Sequence, residues 1–301
     1  MSIFSEQTRI VTASLDDRRD AGLKQPEDVV CVKDIVYGRD PEYQSLDIYR
    51  PKNRKNTKLP VIISVHGGGW IYGDKERYAF YCMSLARQGF AVVNFSYRLA
   101  PEYKFPACME DMNQVCAWVM KHGEKYELDI HHIFAVGDSA GANILSLYTD
   151  ILTNAEFAKK FSFQTPPGFC MKALALNCGV YHIVPERKRE ENLLPLMKEL
   201  FAGEGKKEEL DTIDVLRYMN QDFPATYVMT CSGDFVRMQS ADLVERLTEL
   251  EIPFQAQFWG DSKKALNHVF HLNLHLEEAN RCSQEECRFF WQILNQEDSQ
   301  Q

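Results

Sequence analysis

The fold is decided by residues 134–143, whose sequence is FAVGDSAGAN. A short apolar run ends in Gly-Asp-Ser-Ala-Gly, and a helix-compatible segment, 142–152, follows at once. This order predicts a strand, a sharp turn and a helix, with Ser139 at the apex of the turn. Gly137 and Gly141 lack a Cβ and therefore let the strand and the helix pass close to each other. The pattern G-x-S-x-G is typical of a turn that presents a nucleophilic serine, although an ordinary strand–helix turn can have the same spacing.

Further strand-like segments occur on both sides of this turn. Apolar or alternating runs predict strands over residues 29–37, 44–50, 59–65, 90–95, 130–136, 171–178, 225–231 and 253–259. Apolar spacing and composition predict helices over residues 76–88, 106–126, 142–152, 240–250 and 276–294. Because strands alternate with helices, we expect the α/β class, with a mostly parallel sheet of about eight strands and helices on both faces.

Three segments carry more specific expectations. The alternation in residues 44–50 predicts a half-exposed antiparallel strand. Residues 1–28 are polar and mixed, without a strong period, whereas residues 181–223 are charged, interrupted by prolines and helical in character. We interpret the latter as an excursion from the sheet. Since no internal repeat and no linker between two cores is visible, we expect residues 1–301 to form one domain with an inserted cap.

Charge and cysteine content narrow the function classes. The net charge of −9 leaves no basic surplus to neutralise phosphates, which argues against nucleic acid and anionic membranes as partners. Nine cysteines without a CxxC pair favour free thiols in a reducing compartment. Several of them lie in apolar runs: Cys31, Cys170, Cys178 and Cys231. Residues 1–20 lack the apolar core of a secretory signal, and no run approaches the ~18 apolar residues that span a bilayer, so we predict a cytoplasmic protein.

Acyl transfer by a serine also requires a base, a carboxylate that orients the base, and donors for the oxyanion. Asp234 follows the predicted strand 225–231, and catalytic groups of parallel sheets gather at that edge. Asp242 is the alternative, but it lies within a helical pattern. His268 follows the loop after the last strand, whereas His271 is the alternative base.

His271 and His275 are spaced like two surface histidines on the closing helix. The resulting order of Ser, Asp and His along the chain is that of the α/β-hydrolase architecture.

A glycine-rich loop, HGGGW at residues 66–70, follows the predicted strand 59–65. Glycines let bare backbone N–H groups face a substrate oxygen, and the N–H of Ala140 is a further donor. A phosphate loop is the alternative, but the lysine and Ser/Thr it requires are missing. By position alone, pocket candidates are Trp70, Tyr72 and Asp138. The adjacent His131 and His132 lack metal-ligand spacing, so we predict neither a metal nor another cofactor.

Together these motifs resemble the hormone-sensitive-lipase-like family of α/β-hydrolases, in its bacterial esterase branch. The resemblance spans roughly residues 30 to 295 and is carried by HGGGW at 66–70, GDSAG at 137–141 and YRLAPE at 97–102, which continues through FPA at 105–107 to Asp111. It implies Ser139, Asp234 and His268 as the catalytic triad and Gly68, Gly69 and Ala140 as the oxyanion hole.

The resemblance also implies a cap formed by residues 1–28 and about 181–222, and a structural role for His66. Two departures are visible: Asp-Phe-Val at 234–236 where the family commonly has Asp-Pro-Leu, and His-Val-Phe at 268–270 where it often has His-Gly-Phe.

The predicted function is a serine carboxylesterase that hydrolyses short- to medium-chain acyl esters, with a small-molecule ester as its partner. An amide or formamide hydrolase, or a sugar deacetylase, would use the same residues. A non-catalytic small-molecule receptor is the alternative from another class, but all three triad positions carry competent residues. A homo-oligomer is compatible with the sequence, which does not specify an oligomeric state.

Overall fold

The computed structural model describes residues 2–298, so both ends of the predicted domain, residues 1 and 301, lie outside the described residues. The described chain forms one eight-stranded sheet in the order β1-β2-β4-β3-β5-β6-β7-β8. Its strands are β1 Val29–Val36, β2 Ser45–Pro51, β3 Leu59–Val65, β4 Ala91–Phe95, β5 Leu128–Asp138, β6 Ala173–Asn177, β7 Ala225–Cys231 and β8 Phe254–Trp259.

Strand β2 pairs antiparallel with both β1 and β4, whereas every other neighbouring pair is parallel. The predicted mostly parallel sheet is therefore confirmed. The predicted half-exposure of β2 is wrong, because all seven of its residues are buried. Leu46 and Ile48 pack into the core on one face of the sheet and Tyr49 into the core on the other, so β2 is covered on both sides.

Helices cover both faces of the sheet, as expected. They are α1 Ile3–Asp20, α2 Ala79–Ala86, α3 Ala107–His122, α4 Ala140–Thr153, α5 Ala155–Ala158, α6 Leu194–Leu200, α7 Lys207–Leu210, α8 Val215–Tyr218, α9 Arg237–Glu249 and α10 Glu277–Asp298. Short 3-10 turns occupy Gly123–Tyr126, Lys188–Leu193 and Phe270–Leu272. None of the helices within residues 2–298 is both long enough and apolar enough to cross a membrane.

Helix α1 corrects the prediction for the N-terminal segment, which the sequence left without a regular element. Ser2 caps it, because its side chain accepts a hydrogen bond from the Ser5 N–H while the Ser5 hydroxyl is placed against the Ser2 N–H. Only Ser5 is buried in the whole helix. The apolar residues of this helix lie on its exposed side, so their spacing does not mark a buried face.

Two apolar cores lie on opposite faces of the sheet, as the alternation of side chains in β3 shows. Val61 and Ile63 contribute to one core, and Ile62 contributes to the other. The nine cysteines are all free thiols. The expectation that Cys170 packs as a small hydrophobe is wrong, because this residue is exposed; Cys31 is only half-buried.

Candidate active site

The turn after β5 has the sharp geometry predicted for it. Ser139 has φ 51° and ψ −118°, a strained conformation for a residue with a Cβ. A Cβ on Gly137 would lie 2.8 Å from the Gly141 carbonyl oxygen, and one on Gly141 would lie 2.2 Å from the Val65 oxygen. Both positions therefore require glycine, and the helix that follows Ser139 packs directly against the end of β3.

Three of the predicted site residues meet in one chain of hydrogen bonds. The His268 Nε2 atom lies 3.0 Å from the Ser139 hydroxyl, and its Nδ1 atom lies 2.7 Å from Asp234 Oδ1. Each residue follows a different parallel strand, β5, β7 or β8, at the carboxyl edge of the sheet. The arrangement can move a proton from the serine hydroxyl to the imidazole while the carboxylate holds the ring in one orientation.

Asp234 is fully buried yet held in its charged form. Burial acts to raise the pKa of this carboxyl, but the hydrogen bond and charge of His268, together with hydrogen bonds from Thr230 and Val236, outweigh it and the pKa lies below its ordinary value. The Thr230 hydroxyl donates to Oδ2 at 2.7 Å, and the Val236 N–H donates to Oδ1 at 3.0 Å. These donors occupy both carboxylate oxygens, so the orientation of Asp234 is fixed.

The alternative carboxylate, Asp242, and the alternative base, His271, do not take part in this chain of hydrogen bonds. Asp242 pairs with Arg187 at 2.9 Å, away from the imidazole of His268. His271 is completely buried beneath the site, where burial lowers the pKa of its ring to about 3. The prediction that it is a surface residue on the closing helix is therefore wrong. His275 contacts the carbonyl oxygen of Ala21 at 3.1 Å and takes no part in the site.

The glycine-rich loop after β3 turns through three residues with positive φ, Gly68 at 107°, Gly69 at 61° and Trp70 at 61°. A Cβ on Gly68 would lie 2.1 Å from the Tyr72 carbonyl oxygen, so only glycine fits. Within residues 2–298, the N–H groups of Gly68, Gly69 and Ala140 form no hydrogen bond. Backbone donors left without a protein partner beside a serine are available to a ligand oxygen.

His66 supports this loop without facing the serine. Its Nδ1 atom lies 2.7 Å from the Gly67 carbonyl oxygen, and its ring stacks on Tyr97 at a centroid distance of 4.0 Å. Burial lowers the pKa of His66 to about 4, so the ring is neutral at physiological pH. The Tyr97 hydroxyl donates to the His66 carbonyl at 2.9 Å. The YRLAPE motif thus reinforces the loop from behind.

A second support joins the glycine-rich loop to the serine turn. The Tyr78 hydroxyl accepts from the Gly67 N–H at 2.8 Å and donates to Asp138 Oδ2 at 2.8 Å. All the groups involved are buried, and burial raises the pKa of Asp138 to about 7. Sequence reasoning missed Tyr78, because no motif marks a residue that acts through a contact 60 positions away.

The site opens into a cavity of about 230 Å³. The pocket candidates Trp70, Tyr72 and Asp138 all line it. We call the glycine-rich loop 66–70 together with Ser139, Asp234 and His268 the floor. The roof is the inner face of α1, formed by residues that sequence reasoning did not single out: Thr8, Thr12, Asp16 and Arg19. Leu193 and Leu196, from the insertion after β6, line one side.

One cluster among the described residues could offer three metal ligands. Suitable atoms of Cys178, Asp234 and His268 lie within 4.8 Å of one another. Two of the three already share the 2.7 Å hydrogen bond described above, which accounts for their closeness without an ion. Phe235, at the position where the sequence departs from Asp-Pro-Leu, packs its ring 4.5 Å from that of His268.

A family model described as BD-FAE matches residues 46–247, more than half of the chain. The chain belongs to the BD-FAE family. The matched range contains the glycine-rich loop, Ser139 and Asp234 and ends before His268. Among known relatives, Esterase LipC of Mycobacterium tuberculosis is 33% identical over 114 residues, which is 38% of this chain and 28% of LipC. The sequence match thus spans a little over a quarter of the length of that relative.

Solved structures match over nearly the whole chain. An inhibited form of esterase B from Lactobacillus rhamnosis is 27% identical and superposes with a TM-score of 0.89, covering 98% of this chain and 97% of that chain. An esterase of the bacterial hormone-sensitive lipase family is 19% identical, with a TM-score of 0.75 over 95% of this chain and 90% of that chain, and shares the fold. The predicted α/β-hydrolase fold and the predicted resemblance are confirmed.

Proposed function

We propose that this protein is a serine carboxylesterase that works through an acyl-enzyme. The observation that carries the proposal is the hydrogen-bonded chain from Ser139 through His268 to Asp234 at the carboxyl edge of the sheet. Esterase names among the relatives and structural neighbours support it.

In the first half-reaction, the Ser139 Oγ attacks the acyl carbonyl carbon while His268 Nε2 takes the hydroxyl proton. The same nitrogen then gives that proton to the departing alcohol. In the second half-reaction, a water molecule attacks the acyl-serine and loses a proton to His268 Nε2. The imidazolium then gives that proton to Ser139 Oγ as the C–Oγ bond breaks, which releases the acid and restores both residues. Asp234 stays ionised throughout and stabilises the imidazolium, in keeping with its lowered pKa.

The oxyanion of each tetrahedral intermediate binds the N–H groups of Gly68, Gly69 and Ala140, which have no protein partner within residues 2–298. Preorganised donors of this kind are worth ~3 kcal/mol of transition-state stabilisation each. Tyr78 and Asp138 keep the loop and the serine turn at a fixed separation. Because these two are buried and bonded to each other, Asp138 acts in positioning.

Residues 1–28 and about 181–222 form the cap in this proposal, because α1 and Leu196 both line the cavity. A cavity of about 230 Å³ suits short- to medium-chain acyl groups better than long ones. The partner is accordingly a small-molecule ester. The free thiols fit a reducing compartment, and a cytoplasmic location stays a prediction.

The test is the reaction of wild type and Ser139→Ala with short p-nitrophenyl esters and with a fluorophosphonate probe. We expect wild type to be labelled and to turn over the esters, and the variant to lose labelling and at least 10³-fold in kcat. A receptor would show neither reaction in the wild type. Preference for an anilide or an acetylated sugar over the matched ester would instead favour the amidase or deacetylase alternative.

A further inference from the structure

Helix α1 is turned the opposite way from an ordinary amphipathic helix. Its large apolar residues face outward, with Ile3 75% and Ile10 64% exposed. Val11 and Leu15 are exposed as well. The inner face instead carries the polar residues of the roof. Burial of apolar surface therefore does not explain which side of this helix faces the rest of the protein.

Two of the polar residues on the inner face, Asp16 and Arg19, form hydrogen bonds with each other and with the rest of the protein. Tyr72 donates to Asp16 Oδ2 at 2.8 Å, and Arg19 donates to Asp16 Oδ1 at 2.9 Å and to the Arg77 carbonyl oxygen at 2.7 Å. The charges of Asp16 and Arg19 are thus paired with each other. The roof offers no unpaired charge to a substrate, which disfavours recognition of an ionic group.

The two threonines of the roof are different. Thr8 and Thr12 lie one turn apart, are half-buried and line the same cavity as Ser139. Within residues 2–298, neither hydroxyl has a hydrogen-bond partner. A threonine in a helix commonly satisfies its hydroxyl on the preceding turn, but these two do not. They remain neutral groups that can donate and accept inside the substrate cavity.

We propose that Thr8 and Thr12 bind a hydroxyl-bearing part of the ester, so that the substrate class is a partly acylated polyol or a hydroxyacyl ester. A plain hydrocarbon ester would cover both hydroxyls without replacing their bonds to water, which is unfavourable. A hydroxylated ester of the same size restores those bonds. This assignment rests on the proposed esterase function and adds the chemistry of its substrate.

The test compares esters that differ only in hydroxyl groups. Glyceryl 1-monobutyrate and propyl butyrate share one carbon skeleton and differ on the alcohol side. Propyl 3-hydroxybutyrate and propyl butyrate differ on the acyl side. We expect wild type to prefer the hydroxylated member of at least one pair in kcat/KM. In the double variant Thr8→Val and Thr12→Val, which keeps the side-chain shape, that preference falls about tenfold.

Ser14→Val is the matched control, because Ser14 is an exposed position on the outer side of the same helix. It should leave the preference within about twofold of wild type. The pair whose preference falls identifies the side of the ester that faces the roof. If the double variant does not fold, the two single variants are compared in the same way.

The inference is overturned if wild type hydrolyses the esters without a hydroxyl preference, or if the preference survives in the threonine variants. Wild type that hydrolyses none of the esters and leaves the fluorophosphonate probe unreacted would overturn the esterase function as well. The two failures are therefore distinguishable.

Discussion

The floor and the roof of the cavity differ in what holds them in place. Every floor residue follows a strand of the central sheet, and β3 is buried throughout its length. The roof belongs to a helix with one buried residue, which is tied to the body by hydrogen bonds and ion pairs. Apolar packing is dense and tolerates little displacement, whereas polar contacts at a surface compete with water. We infer that the floor determines which reaction is catalysed. Substitutions in the roof can then change which substrate is bound without disturbing the catalytic residues of the floor.

A buried polar network extends the floor below Ser139. The Ser139 N–H donates to the Asn177 carbonyl oxygen at 3.0 Å, and the Asn177 side chain donates to Glu286 Oε1 at 2.5 Å. The Tyr81 hydroxyl donates to the other oxygen of Glu286 at 2.8 Å. Burial raises the pKa of this carboxyl to about 7, although the hydrogen bonds donated by Tyr81 and Asn177 act to lower it.

The largest expected effect is a change with pH in the free energy of unfolding, and it comes from Glu286 in this network. A carboxyl with a raised pKa binds its proton more tightly in the folded state, so the free energy of unfolding falls as the pH rises from about 4.5 to about 7. The shift corresponds to about 3 kcal/mol. Glu286→Gln removes this titration. Between pH 5 and pH 8, wild type should lose ~3 kcal/mol more stability than the variant in urea unfolding.

Equal pH dependence in the two proteins would show that Glu286 is ionised in the folded state already at pH 5. Asp138, whose pKa burial also raises to about 7, is present in both proteins. Because the charge of Asp138 helps to raise the pKa of Glu286, the difference between the two proteins includes the interaction of the two carboxyls.

A smaller effect, on kcat, is expected where Tyr78 links the glycine-rich loop to the turn that carries Ser139. Tyr78→Phe removes the hydroxyl between the Gly67 N–H and Asp138 and leaves both without their partner. The glycine-rich loop then has more freedom, so its donors are less well placed for the oxyanion. We expect kcat for a p-nitrophenyl ester to fall about tenfold with little change in KM.

Tyr49→Phe is the control for that experiment, because its buried hydroxyl donates to Asp47 at 2.9 Å on β2, and β4 and β3 lie between β2 and the strand that leads to Ser139. Similar losses of kcat in both variants would mean that general destabilisation, rather than loop position, explains the result.

The smallest effect concerns the roof. Arg9 on α1 donates to the Ile71 carbonyl oxygen at 2.7 Å and to that of Ala100 at 2.8 Å, and pairs with Glu102 at 2.6 Å. Arg9→Met should loosen the helix and raise KM about threefold while kcat stays near wild type. The cost in stability should be below ~1 kcal/mol, because the ion pair is partly exposed.

Arg18→Met, an exposed position on the same helix, should change neither constant. A large fall in kcat for Arg9→Met would contradict the separation of roof and floor.

The floor could be predicted from sequence because its chemistry lies in short motifs that follow recognisable strands. Ser139 and the glycine-rich loop are each surrounded by the glycines that their turns require. The roof could not be predicted in this way, since α1 exposes its apolar residues and turns polar residues toward the cavity. Long-range contacts such as that of Tyr78 with Asp138 leave no local pattern. His271 was misplaced for a related reason: its spacing from His275 suits an exposed helix, yet the chain turns inward there.

The contacts of α1 also bear on the order in which the molecule folds. Ser2 bonds to Glu199, 197 residues away, and Arg9 bonds to residues 62 to 93 positions further on. Contacts between distant parts of a chain form after the local ones that bring them together. Since the partners of α1 must be in place before it can bind them, we infer that α1 is among the last elements to dock. On this inference, Ser139 reaches its place at the end of β5 before α1 closes the cavity above it.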